Sequence, residues 1–300
     1  MGLLQLLSPE VLEQLKRTFD FPVVPPVEAP VSPVPVVQLT PDIGLGRLVF
    51  YSHFHLDRLQ RAFHLSVDTS FRDVLMAVGA VPEEDRVSLT GCTAVFCDPD
   101  NYPSHERIAA LALEGIAVAI GVHPKNRTLS EEKYLSFVRA FSDVNVGALG
   151  EIGLDWTVHR SRWLDQERQF TRILNLANSK DVVVVLHLRG MKENPLAREL
   201  YLRSLTIVEE VMNRNRQQTF HLHCFTGPSD VVAAWLQQFP NTYFGVTNLV
   251  SSLDQASHEG LKAIPANRLL LESDAPYFPP TRSYRANAPH LLGYTASAVA

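Results

Sequence analysis

Histidine, glutamate and aspartate recur in this 300-residue sequence at spacings that suit a metal-assisted hydrolysis. His53 and His55 are two residues apart within RLVFYSHFH, and the two-residue period of an extended strand turns both imidazoles to one face. Glu151 lies in GEIGLD with Asp155 just beyond it, and His187 and Arg189 follow VVVVL. His221 and His223 precede CFTG, Glu272 and Asp274 open ESDAPY, and His123 and Lys125 sit in and after GVHP. Each of these residues taken alone is compatible with a packed or solvated side chain. Several imidazoles and carboxylates gathered in one apolar interior, however, cost several kcal/mol unless a shared charge compensates them. A pair of divalent cations is the economical compensation. Mixed nitrogen and oxygen ligands suit zinc, manganese or magnesium, and with no cysteine expected among the ligands a closed structural zinc site is disfavoured. A carboxylate such as Glu151 can bridge two ions. Two metals about 3.5–4 Å apart lower the pKa of a shared water and hold the attacking and leaving oxygens of an in-line displacement at phosphorus.

The elements that must position these groups follow from the hydrophobic pattern. Short apolar runs at 47–55, 91–97, 116–122, 146–152, 182–188, 219–225, 242–248 and 268–274 read as eight strands. Helical patterns lie between them; at 162–180, for example, Trp163, Phe170, Ile173, Leu174 and Ala177 share a face. Strands apolar along their whole length are buried on both sides, as in a (β/α)8 TIM barrel, and the polar residues at their carboxyl ends then converge on one mouth. Residues 1–46 differ. Ser8 and Pro9 are placed to start a short helix with Val11, Leu12, Leu15 and Phe19 on one face, and the segment from Phe21 to Pro41 is proline-rich with one charge, an extended linker. The expected organisation is therefore an N-terminal helix and Pro-rich linker over 1–46 and one barrel over 47–300, whose last helix the length leaves short.

Composition narrows the class further. The chain is 46% hydrophobic and 20% charged, with three cysteines in no CxxC pair and a formal net charge of -5. That is an ordinary globule with reduced thiols, with no run long enough for a membrane span and no general attraction to polyanions. Arg160, Arg162, Arg168, Arg172, Arg189, Lys192, Arg198, Arg203, Arg214 and Arg216 crowd the middle of the chain, but helical spacing puts most of them on outer surfaces. Trp156, Phe225 and Tyr277 lie near the motif loops, where they could stack on unpaired bases.

From Leu48 to Leu292 the sequence resembles the TatD-type metal-dependent deoxyribonucleases, a branch of the amidohydrolase-like barrels. The resemblance rests on SHxHLD (52–57), GVHP (121–124), GEIGLD (150–155), Gln166 and Phe170, HxR at His187 and Arg189, HCFTG (223–227) and ESDAPY (272–277). It implies that His53, His55, Glu151 and Asp274 hold one metal and that Glu151, His187 and His223 hold the other. It implies hydrolysis of phosphodiester bonds in DNA, with RNA as a second substrate, exonucleolytic on single-stranded ends. Glu151 or Asp274 would accept the proton of the attacking water, and His123, Lys125 and Arg189 would grip phosphate. Tyr51 stands where the family commonly has Asp, Lys125 replaces a frequent histidine, and His221 is an additional imidazole. An amidohydrolase acting on a small C–N or ester substrate is the rival enzyme, and a degenerate homologue working through protein partners of the Pro-rich arm is the rival without turnover. The expected partners are DNA and RNA and not a membrane, in the cytoplasm or nucleus.

Overall fold

The computed structural model describes residues 47–191 and 196–299. The expected N-terminal helix, the Pro-rich linker and Lys192 lie outside the described residues. Eight strands, β1 (Arg47–Phe54), β2 (Val87–Phe96), β3 (Ile116–Ile120), β4 (Val146–Asp155), β5 (Val183–Arg189), β6 (Phe220–His223), β7 (Thr242–Val246) and β8 (Leu269–Leu271), pair in sequence order, all parallel. The helices around them are α1 (Leu56–Ala62), α2 (Phe71–Val78), α3 (His105–Leu113), α4 (Glu131–Phe141), α5 (Trp163–Leu174), α6 (Leu196–Val211), α7 (Ser229–Gln238), α8 (Gln255–Ala263) and α9 (Leu292–Val299). This is the expected (β/α)8 barrel. An isolated bridge joins Phe54, at the end of β1, to Ala275, four residues beyond β8, with the His55 N–H donating to the Ala275 carbonyl at 2.8 Å.

Local chemistry explains where the helices begin. Ser70, Ser104, Ser130 and Asp254 each accept a backbone N–H three residues on, capping α2, α3, α4 and α8. The helical pattern expected at 162–180 forms α5 and then tightens into a 3-10 turn over Asn175–Ser179. Phe170, Ile173 and Leu174 are buried, while Trp163 is only partly covered. Outward residues of the strands pack under the helices, whereas Val95, Cys97, Ala119, Ala148 and Val185 form a separate small cluster inside the barrel. Small inward side chains leave room above them for the polar residues at the strand ends.

Two bulges aim those residues. On β1, Tyr51 pairs with Cys92 and Phe54 with Ala94, so Ser52 and His53 together oppose Thr93. On β4, Leu149 pairs with Val184 and Ile152 with Leu186, so Gly150 and Glu151 together oppose Val185. An extra residue in one strand re-aims the side chains beside it, a device common next to functional sites. Gly150 is required there, since a Cβ would lie 2.5 Å from the Val185 Cβ. The eighth strand is shorter than the expected 268–274, because its partner β7 ends at Val246, opposite Leu271; beyond it Asp274 adopts φ +55.

Candidate metal centre

The structure brings His53, His55, Glu151 and Asp274 together, one ligand atom from each lying within 4.8 Å of the others, and all four are buried. His53 Nε2 is 2.9 Å from Glu151 Oε1, and His55 Nε2 is 3.5 Å from Glu151 Oε1 and 3.3 Å from Asp274 Oδ1. These approaches are close without being well-directed hydrogen bonds: His53 Nε2 and Asp274 Oδ1 are buried and make none. Ligand-capable atoms gathered this closely, with buried members left unpaired, are what a shared cation would satisfy. His55 Nδ1 lies 3.2 Å from the Val95 carbonyl, so in the neutral ring it donates there and leaves the Nε2 lone pair turned inward. Glu151, His187 and His223 form a second group, again with one ligand atom of each within 4.8 Å of the others, and share Glu151 with the first. The donor set and its orphaned buried atoms fit divalent cations.

Charge balance points the same way. Burial and the neighbouring His223 lower His53 to about 4, so its ring is neutral. Burial works against protonating His223, but Glu272, Asp274 and Glu151 overcome it and raise the ring to about 9; His55 is raised well above its ordinary value, against burial, chiefly by the Glu151 charge. Glu151 in turn is held well below the usual carboxylate range, despite burial, by His55 and His223. The carboxylates thus demand positive charge, which protons supply in part and a divalent cation displacing them would supply more fully.

Behind the cage stands Glu272, fully buried and with more partners than sequence reasoning assigned it. Its Oε1 lies 3.1 Å from His223 Nδ1 and accepts the Cys224 N–H, and its Oε2 lies 3.0 Å from His221 Nε2. His221 is therefore a partner of this carboxylate and not a merely packed imidazole. Glu272, His221 and His53 form a further buried group of ligand-capable atoms. Gly245 makes room for it, since a Cβ there would overlap the Glu272 carboxylate and lie 2.5 Å from His221 Nε2. Tyr51 pairs with Cys92 just before the β1 bulge, and the extra residue there leaves it on the other face of the strand from His53. Its hydroxyl bonds Ser273 Oγ and accepts the Ser273 N–H at 2.7 Å, and Ser273 Oγ accepts the Ala275 N–H at 3.0 Å, so Tyr51 braces the residues on both sides of Asp274.

The remaining predicted residues line the mouth. His123 accepts the Lys125 N–H at Nδ1 (3.0 Å), which in a neutral ring leaves Nε2 as an N–H donor, 3.8 Å from Glu151 Oε2. Lys125 Nζ is 3.4 Å from Asp155 Oδ2, which also lies 3.1 Å from His187 Nε2. Gln166 ties this rim together, accepting the Asp155 N–H and donating to the Pro124 carbonyl at 3.0 Å. Arg189 is exposed at the end of β5, opposite Asp155 in register. The middle-chain arginines are largely paired on the outer surface, Arg172 with Glu131, Arg198 with Asp230 and Arg203 with Glu167, as helical spacing indicated.

Two expectations need correction. Trp156 and Phe225 are 7% and 5% exposed, too buried to stack on a base, whereas Tyr277 is 45% exposed. A thiol does adjoin the cage: Cys97 donates to Glu151 Oε2 at 3.4 Å, and burial pushes its pKa up to about 11. Arg58, which donates to Cys97 Sγ at 3.1 Å, was missed as well. Cys97 ends the expected strand at 91–97 and so belonged at the mouth; Arg58 lies three residues beyond His55, one turn into α1.

Among the described residues no helix is long and apolar enough to cross a membrane. The family model described as TatD related DNase matches residues 52–300. A human protein named 3'-5' RNA nuclease TATDN2 is 30% identical over 273 residues, which are 88% of this chain, so that the chain spans only 33% of that relative's length. A protein of Cronobacter turicensis named 3'-5' ssDNA/RNA exonuclease TatD is 32% identical over 227 residues, 72% of this chain and 81% of that one. The crystal structure of a TatD homologue from Escherichia coli K12 superposes with a TM-score of 0.58 at 19% identity, covering 84% of this chain and 88% of that chain, a likeness of fold. The chain belongs to the TatD-related DNase family and is, with that family, a metal-dependent hydrolase.

Proposed function

We propose that this chain is a nuclease that hydrolyses phosphodiester bonds of single-stranded DNA or RNA from a 3' end, using two divalent cations. The observation that carries this reading is the buried cage at the barrel mouth, whose imidazole and carboxylate atoms converge without hydrogen-bonding one another. In it His53, His55, Glu151 and Asp274 would hold one ion, and Glu151, His187 and His223 the other. When bound, such ions lower the pKa of a water and neutralise phosphate charge.

The chain's own residues do the rest. Glu151 has Oε1 among three imidazoles and Oε2 accepting from Cys97, so its charge would be held where the two ligand groups meet. Asp274 directs one oxygen, Oδ1, at the imidazoles, and its other oxygen is the acceptor for the attacking water's proton. His123 offers its Nε2–H, and Lys125 and Arg189 their charge, to the phosphate oxygens that become more negative in the transition state. Asp155 orients His187 and restrains Lys125. Incubation of end-labelled single-stranded DNA and RNA with manganese, magnesium or zinc, beside a His53→Ala, Glu151→Ala double variant, tests the reading. Metal-dependent shortening from the 3' end that the double variant lacks is expected; no metal-dependent cleavage of either polymer would sink it.

A further inference from the structure

Next to the cage lies an aromatic ring that the chemistry above leaves unused. Tyr277 follows the turn that carries Asp274, and its backbone N–H donates to the Asp274 carbonyl at 2.9 Å. Its ring stands edge-on to His55, with centroids 6.1 Å apart, yet the side chain is 45% exposed. Arg58 reaches from α1 to hold it: Nη1 donates to the Tyr277 hydroxyl at 3.2 Å, and the guanidinium carbon is 5.7 Å from the ring centroid. The other end of the guanidinium is anchored on Cys97 Sγ. An exposed aromatic at a functional mouth, with both its backbone and its hydroxyl tied down, spends apolar surface on solvent without packing for it, and loses little freedom when a flat partner arrives.

We infer that Tyr277 and Arg58 form a nucleobase subsite, in which the ring stacks on the unpaired base adjoining the scissile phosphate and the guanidinium supplies positive charge beside it. The inference rests on the nuclease reading and gives it a reason for single strands. A base in a duplex end has one face covered by its neighbour and its edge paired, so it reaches such a platform only after unpairing. A base in a single strand offers its π-face directly, and stacking is indifferent to which base it is. Trp156 and Phe225, in the neighbouring motif loops, are too buried to serve.

The test separates binding from turnover. The probe is a single-stranded oligonucleotide with 2-aminopurine at its 3' end and a phosphorothioate last linkage, titrated in chelator so that no cleavage occurs. Wild-type protein and Tyr277→Phe, which keeps the ring, quench the fluorescence; Tyr277→Ala does not, and its affinity falls between about five-fold and about a hundredfold. In a parallel manganese arm, Tyr277→Ala loses the same factor on an intact strand but not on one whose terminal nucleotide is abasic. Cleavage by wild type without quenching, or equal loss on intact and abasic ends, overturns the subsite and leaves the nuclease reading standing. Quenching without cleavage supports the subsite and overturns the nuclease reading, and the absence of both overturns the two together.

Discussion

Glu272 shows how one side chain can govern several. It is fully buried, lies beside both His221 and His223, and is held well below the usual carboxylate range, against burial, by those two rings. Glu272→Gln keeps the shape and removes the charge that orients His223, so the affinity of the site for manganese is expected to fall about 10- to 100-fold. Competition with a fluorescent chelator measures it, and an unchanged constant would show that His223 is held without this carboxylate. The ligand-capable residues were legible in the sequence because imidazoles and carboxylates at strand ends are chemically conspicuous. Cys97 and Arg58 were not, because a thiol and a guanidinium acquire a role only from residues distant in sequence, Glu151 in one case and Tyr277 in the other. Tyr51 was legible only as a departure, and its work on Ser273 became visible with the β1 bulge.

The strands were read in number and order from apolar runs, since a strand buried on both faces announces itself without any partner. The bulges were not, because a bulge is a mismatch between two strands and neither contains it alone. Gly150→Ala forces a methyl into Val185 and should cost about 1–3 kcal/mol, with loss of metal binding as Glu151 turns; thermal unfolding and metal titration report the two effects. The caps are simpler. Asp254 accepts the Ser257 N–H at 2.8 Å, and Asp254→Ala should cost about 1 kcal/mol at neutral pH. That hydrogen bond lowers the Asp254 pKa below its ordinary value of 3.8. The carboxylate's contribution is therefore fully present above that value and is lost as the pH falls through the lower, folded one. Unfolding curves of wild type and variant should stay separated at pH 5 and converge below about pH 4. Persistent separation in strong acid would mean that a charge-independent contact holds α8.

At the scale of the whole molecule the barrel is a nearly closed ring, joined by one bridge, with its charge-demanding residues at one end. A cation bound there stabilises only the folded state, by about 2.7 kcal/mol at a hundred times its dissociation constant. For a domain of this size that is a rise in melting temperature of about 5–10 °C. Calorimetry with and without manganese should show it, chelator should reverse it, and Glu151→Ala should abolish it; an equal shift in the variant would place the ion elsewhere. The closure between Phe54 and Ala275 extends the point to synthesis. The residues that meet at this seam leave the ribosome far apart in time, Tyr51 and Ser273 being 222 positions apart, on the order of 10–40 s of elongation. A growing chain presents His53 and His55 first among the cage residues, and the turn carrying Asp274, which the Tyr51 brace needs, follows all the others. The barrel is thus its own proof of completion: the cage can assemble only on a chain already translated through its final strand.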